Sequence, residues 1–196
     1  MTLSVISVLL ILAFGSWFLL RARAREAEGE QAVVAKRSNK DPAVAGRELR
    51  RMMLSMPPQD LGVSPSKEFP SVYGILMDWP VGDQTATIFS TCTGSASLYT
   101  TSTFGIIGGE GHAAVRAASA AFVKAAGRFY ESAPLTSEHP YPTGDKVRFY
   151  LLTFHGVHVL ETDMASVTRG AGPYAALFGL GQAVMTELRL STGKTK

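Results

Sequence analysis

Four histidines and one cysteine are the side chains of this sequence with the widest chemical repertoire. His155 and His158 stand three apart in His155-Gly156-Val157-His158, a spacing that would put two imidazoles on one face of a helix and let them ligate zinc. The flanking runs, Phe149-Tyr150-Leu151-Leu152 and Val157-His158-Val159-Leu160, read instead as strands, and a hairpin does not converge the two rings simply. Cys92, the lone cysteine, excludes an intramolecular disulfide and a cysteine-based zinc site built from this chain alone. As a nucleophile it would need a neighbouring base and a depressed thiol pKa. His112 and His158 are the bases on offer, and nothing in the sequence places either beside it. His139 lies in a proline-bounded stretch with no metal-ligand spacing.

The glycine run Gly105-Ile106-Ile107-Gly108-Gly109-Glu110-Gly111 precedes a helical pattern, where backbone N–H groups can hold an anion. It lacks the Gly-Lys-Ser/Thr of a P-loop and the glycine order of a dinucleotide fold, and Glu110 would repel phosphate, so it reads as a tight strand-to-helix turn. Ser95 and Ser97 sit in no nucleophile-elbow pattern. Asp78, Asp83, Glu110, Asp145, Glu161 and Asp163 read as cap or turn residues at element ends. The sequence assigns no catalytic residue, no cofactor and no metal site.

The elements that would carry these residues begin with an uncharged run, Thr2 to Leu20. At about 1.5 Å per helical residue it matches a bilayer core of about 30 Å. No basic region precedes it, which argues against a cleaved signal peptide. Arg21, Arg23 and Arg25 follow at once, so the positive-inside bias puts the rest of the chain in the cytoplasm and the N-terminus outside. Residues 1–20 therefore read as a transmembrane anchor in the cell membrane. Residues 21–68 read as a basic tether with a short amphipathic helix at Ala43–Met56 and a proline-rich linker. On that helix Leu49, Met52, Met53 and Met56 gather on one side, with Arg47, Arg50 and Arg51 largely on the other. It can pack on the domain, or lie on an anionic membrane surface with the arginines of both segments towards the lipid head groups. Net charge is +3 and the cationic residues cluster near the anchor and in one later helix, so the composition requires no nucleic-acid partner.

Residues 69–192 read as one compact domain, with 193–196 a tail. Ser71–Trp79 is apolar on both faces, as a central strand must be. Thr85–Thr91 and Ser97–Phe104 complete a meander, and Gly111–Glu131 is an alanine-rich helix with Arg116, Lys124 and Arg128 along its polar side. Lys146–Phe154 and Val157–Thr162 form a hairpin at Gly156, and a last helix starts at Pro173. The order β-β-β-α-β-β-α predicts an α+β fold: a single N-terminal transmembrane helix followed by a mostly antiparallel five-stranded sheet with packed helices. Profilin-like, longin and roadblock domains have comparable element orders, an analogy that decides no function.

The last helix has no charged residue between Arg169 and Glu187. Leu177, Leu180, Val184 and Leu188 make one apolar face, and Tyr174, Phe178, Gly181 and Met185 make a second. A helix apolar nearly all round is buried on both sides, and in a small domain the second side can be a subunit interface. The expected function is thus a non-enzymatic accessory or scaffold subunit, its partners the bilayer and other membrane protein subunits. The alternatives are a regulatory domain binding a small ligand between sheet and helix, and an enzyme using Cys92 or a histidine site.

Overall fold

The computed structural model describes residues 42–102 and 105–192. The first element is helix α1 (Pro42–Ser55), linked by a segment containing one 3-10 turn (Pro58–Leu61) to strand β1 (Val72–Val81). Strands β2 (Gln84–Thr91), β3 (Ala96–Thr100) and β4 (Ile106–Ile107) lead to helix α2 (Ala113–Ala126). After a second 3-10 turn come β5 (Leu135–Thr136), β6 (Lys146–Thr153), β7 (Gly156–Asp163), the short helix α3 (Met164–Thr168) and helix α4 (Ala175–Thr192). The strands form one seven-stranded sheet in the order β4-β3-β2-β1-β6-β7-β5, and every pairing is antiparallel.

One expectation is corrected, and a second falls outside the described residues. The sheet has seven strands where five were expected, because β4 and β5 are only two residues each and too short to show an alternating pattern. The expected membrane-spanning helix at Thr2–Leu20 lies outside the described residues, and among the described residues no helix is long and apolar enough to cross a membrane. The compact unit starts at Pro42 and so takes in α1, which the sequence pattern assigns to the tether.

Strand β1 lies at the middle of the sheet, which is why its residues read as apolar on both faces. On one face α2 and α4 pack against each other and over Ile75, Met77, Ile88, Phe149 and Leu151, with Phe122, Leu177, Val184 and Leu188 completing the core. Gly181 sets the spacing of that layer. A Cβ there would fall 2.6 Å from the terminal methyl of Met77 and 3.2 Å from the Cζ of Phe122, so a side chain at 181 would have to displace both for α4 to lie this close to β1. On the other face α1 is the one helix among the described residues. Its Leu49, Met53 and Leu54 cover Tyr73, Leu76, Phe89, Tyr99, Tyr150 and Leu152.

Burial pushes the Tyr99 phenol up to about 12, and burial also raises Tyr73, Tyr141 and Tyr150. A phenol whose folded pKa exceeds the value of about 10 in an unfolded chain adds stability that is complete below that pH and lost as pH climbs to the folded pKa. The urea midpoint is accordingly expected to fall between about pH 10 and about pH 12. Tyr99→Phe should flatten that fall; an equally steep decline in the variant would remove Tyr99 as its source.

Candidate functional site

The polar centre of the domain is built on β1. Asp78 is fully buried, at 0% exposure, in the middle of that strand. Antiparallel register puts Thr87 of β2 opposite it on one side and Arg148 of β6 on the other, and Glu161 of β7 is opposite Arg148. The pleat turns these side chains to the same face, giving a polar row across four strands. The Thr87 hydroxyl donates to Asp78 Oδ1 at 2.5 Å, and Arg148 Nε donates to Glu161 at 2.5 Å.

Into this row α1 inserts Arg50, itself only 5% exposed. Its Nε and Nη2 donate to Asp78 Oδ2 at 2.9 and 2.5 Å, and its Nη1 donates to the carbonyl of His139 at 2.9 Å. The guanidinium lies 4.1 Å from the Tyr141 ring centre and 5.3 Å from that of Tyr150. The loop carrying His139, Pro140 and Tyr141 turns its carbonyls inward. Pro140 accepts from the Tyr150 hydroxyl at 2.5 Å and from Arg148 at 3.2 Å, and Tyr141 accepts from Arg148 at 3.3 Å.

Burial works against the Arg50 charge, but Asp78 together with Tyr141 and Tyr150 offsets it and leaves the guanidinium above its ordinary value. For Asp78 burial is the stronger influence, holding the carboxyl above its usual range against hydrogen bonds from Arg50 and Thr87. The two directions differ in what they imply. Arginine does not deprotonate in proteins, and the Asp78 carboxylate, which accepts two hydrogen bonds from it, supplies the opposite charge, so the pair is ionic at neutral pH. Burial and the Arg50 charge lower the pKa of His139, which favours its neutral form. Chemically this centre is a clasp: both Asp78 oxygens already accept hydrogen bonds, and its ligand is a side chain of the same protein.

The residues singled out in the sequence fall in separate places. Of the arginines expected at an anionic surface, Arg47 and Arg51 are exposed on α1, Arg50 points inward, and Arg21, Arg23 and Arg25 lie outside the described residues. Arg50 is the correction. It belongs to the inward stripe Gly46, Leu49, Arg50, Met53, Leu54, buried or half-buried throughout and spaced as one helical face. Asp78 is the second, since it occupies the strand's interior and not an end. Phe178 and Gly181 face inward, towards the α2 and β1 layer, whereas Tyr174 and Met185 are half-buried at its margin.

His155 is exposed at the β6–β7 turn, while His158 on β7 is 2.6 Å from the Ala133 carbonyl through Nδ1 and meets the Tyr130 ring at a tilt of 55°. Among the described residues no group of three or more His, Cys, Asp or Glu side chains is placed to hold a metal. Burial pushes the Cys92 thiol up, the direction that disfavours a thiolate nucleophile. Glu110 in the glycine run accepts from the Ser95 hydroxyl through its carboxylate and from Arg116 through its backbone carbonyl, tying that turn to its neighbours. Lys124 of the basic row pairs with Glu68 at 3.0 Å, both side chains 60% exposed, a geometry that contributes little to stability.

An open groove of about 360 Å³ runs past the far end of the polar row, lined by Ser132, Thr136, Glu138, Arg148, Tyr150 and Glu161 among others. The outer surface of the two-helix layer is different in character. Ala114, Ala117 and Ala121 of α2 and Ala176, Gly179 and Ala183 of α4 are exposed, each set at the spacing of one helical face. No family model, curated protein or solved structure matches this chain.

Proposed function

We propose that this chain is a non-enzymatic accessory or scaffold subunit of a larger membrane assembly, and that a protein partner covers the outer face of α2 and α4. The observation that carries this reading is the small, uncharged surface of Ala176, Gly179 and Ala183 on a helix with no charge between Arg169 and Glu187. A solvated helix face ordinarily carries charge, and small residues allow another backbone to approach closely. Tyr174 and Met185 supply half-buried apolar margins to the same helix. The uncharged run Thr2–Leu20 and the arginines that follow it put the domain at the cytoplasmic side of the cell membrane in this reading.

The test is a mild-detergent pull-down of the full-length protein from its native membrane, with and without Ala183→Glu. Position 183 is exposed, so the variant should unfold within about 0.5 kcal/mol of the wild type. It should nevertheless lose the stoichiometric partners that the wild type retains. Partners kept undiminished by a folded Ala183→Glu protein would move the interface elsewhere, and a wild type that elutes as a clean monomer would sink the subunit reading. The polar groove at Arg148 and Glu161 supports a second reading, a small-ligand regulatory domain, which a thermal shift with a metabolite panel distinguishes.

A further inference from the structure

The clasp has a composition that selects its occupant. One carboxylate and inward carbonyls accept hydrogen bonds, and the flat cation lies over the Tyr141 ring, 4.1 Å from its centre and 5.3 Å from the Tyr150 ring centre. A planar guanidinium satisfies such a set through forked donors and ring stacking, whereas a compact ammonium offers neither. Among the described residues the occupant arrives on the single helix of its face of the sheet, which shares that face with Leu61 and Val63 of the segment behind it, while the opposite face carries two helices packed on one another. Behind α1, residues 56–71 contain Pro57, Pro58, Pro65 and Pro70 and no regular element beyond one 3-10 turn. The hydrogen bond from the Tyr73 hydroxyl to the Met56 carbonyl marks the point where that segment leaves the helix.

We propose that the pocket over Asp78 is a guanidinium receptor and that α1 is a latch seated in it by Arg50, able to open as a unit about residues 56–58 while the sheet stays folded. The chemical class of ligand is an alkylguanidinium, supplied in the closed state by the chain's own Arg50. A buried ion pair in an apolar interface is suited to such a switch, because its worth depends on geometry and vanishes once the partners separate into water.

Native-state hydrogen exchange on the full-length chain in mild detergent, under a urea series, tests it without mutation. The amides of α1 are expected to exchange through an opening smaller in free energy and urea dependence than that of β1 and β6. A shared opening for α1 and the central strands would overturn the latch. In Arg50→Ala, α1 exchange should quicken by between about a hundredfold and several thousandfold, the range for removing one partner of a buried ion pair, with β1 and β6 still protected. Millimolar N-ethylguanidinium should then restore part of the α1 protection, and ethylammonium should not. Equal effects of the two cations, or none from either, would overturn the receptor, and the wild-type urea series decides the latch even if the variant does not fold.

Discussion

Replacing Phe122 with alanine is expected to lower the unfolding free energy by about 3 to 5 kcal/mol, the usual cost of removing a fully buried aromatic ring. Phe122 is 0% exposed and joins α2 to both the sheet and α4. The size of the loss depends on how far the neighbours collapse into the space, and here Gly181 gives a handle on that collapse. A Cβ at 181 would lie 3.2 Å from Phe122 Cζ and 2.6 Å from the Met77 methyl. In the wild type Gly181→Ala forces both groups aside, which works against the gain of about 1 kcal/mol in helix propensity. In the Phe122→Ala background the aromatic obstacle is gone and the flexible methionine can yield, so Gly181→Ala should be distinctly more favourable there. Urea unfolding of the four proteins in the cycle measures the coupling. Effects that add to within about 0.5 kcal/mol would mean the two positions do not share a space.

That pair illustrates what a sequence can and cannot convey about packing. The periodicity of α4 correctly announces a helix with little polar surface, and Leu177, Val184 and Leu188 do form its core face. It does not say which second face is inward. Gly181 and Phe178 resemble interface residues because a bare glycine beside an aromatic is equally suited to a close internal approach. The deciding fact is the position of Met77 on a strand far earlier in the chain, and no local pattern contains it.

The polar clasp leaves more trace in the sequence than the packing does. An arginine within the inward stripe of α1 and an aspartate inside the apolar run of β1 each break a local rule, and two such breaks of opposite sign are a pairing signal. Each also has a commoner explanation that hides it, a solvated basic face for Arg50 and an element end for Asp78. The partner loop leaves no signal at all, since His139, Pro140 and Tyr141 contribute carbonyls, which every residue has. The strands β4 and β5 escape for a related reason: a two-residue pairing depends on the neighbour's backbone and not on its own side chains.

Phe178→Glu separates the inward and outward sides of α4 more sharply than any conservative change. Phe178 is 8% exposed and packs in the two-helix core, so the variant loses a buried aromatic and gains a carboxylate among apolar neighbours. The first loss alone is about 3 to 5 kcal/mol, and the buried carboxylate adds to it, so most of the marginal stability of a domain this size should disappear at neutral pH. A lone buried carboxyl has its folded pKa raised above the unfolded value of about 4.3. Its least unfavourable state is therefore below that value, and the penalty grows as pH rises through the folded pKa. Thermal unfolding followed by circular dichroism should find the variant closer to wild type near pH 4 than at pH 7. Met185→Glu, further along the same helix, is half-buried at the margin, where the carboxylate can reach water, and its cost should be nearer about 1 kcal/mol. A Phe178→Glu protein as stable as Met185→Glu would mean that α4 does not bury Phe178 against the sheet in solution. The aromatic would then return to the outward surface, and the interface would need to be sought around it instead of around Ala183.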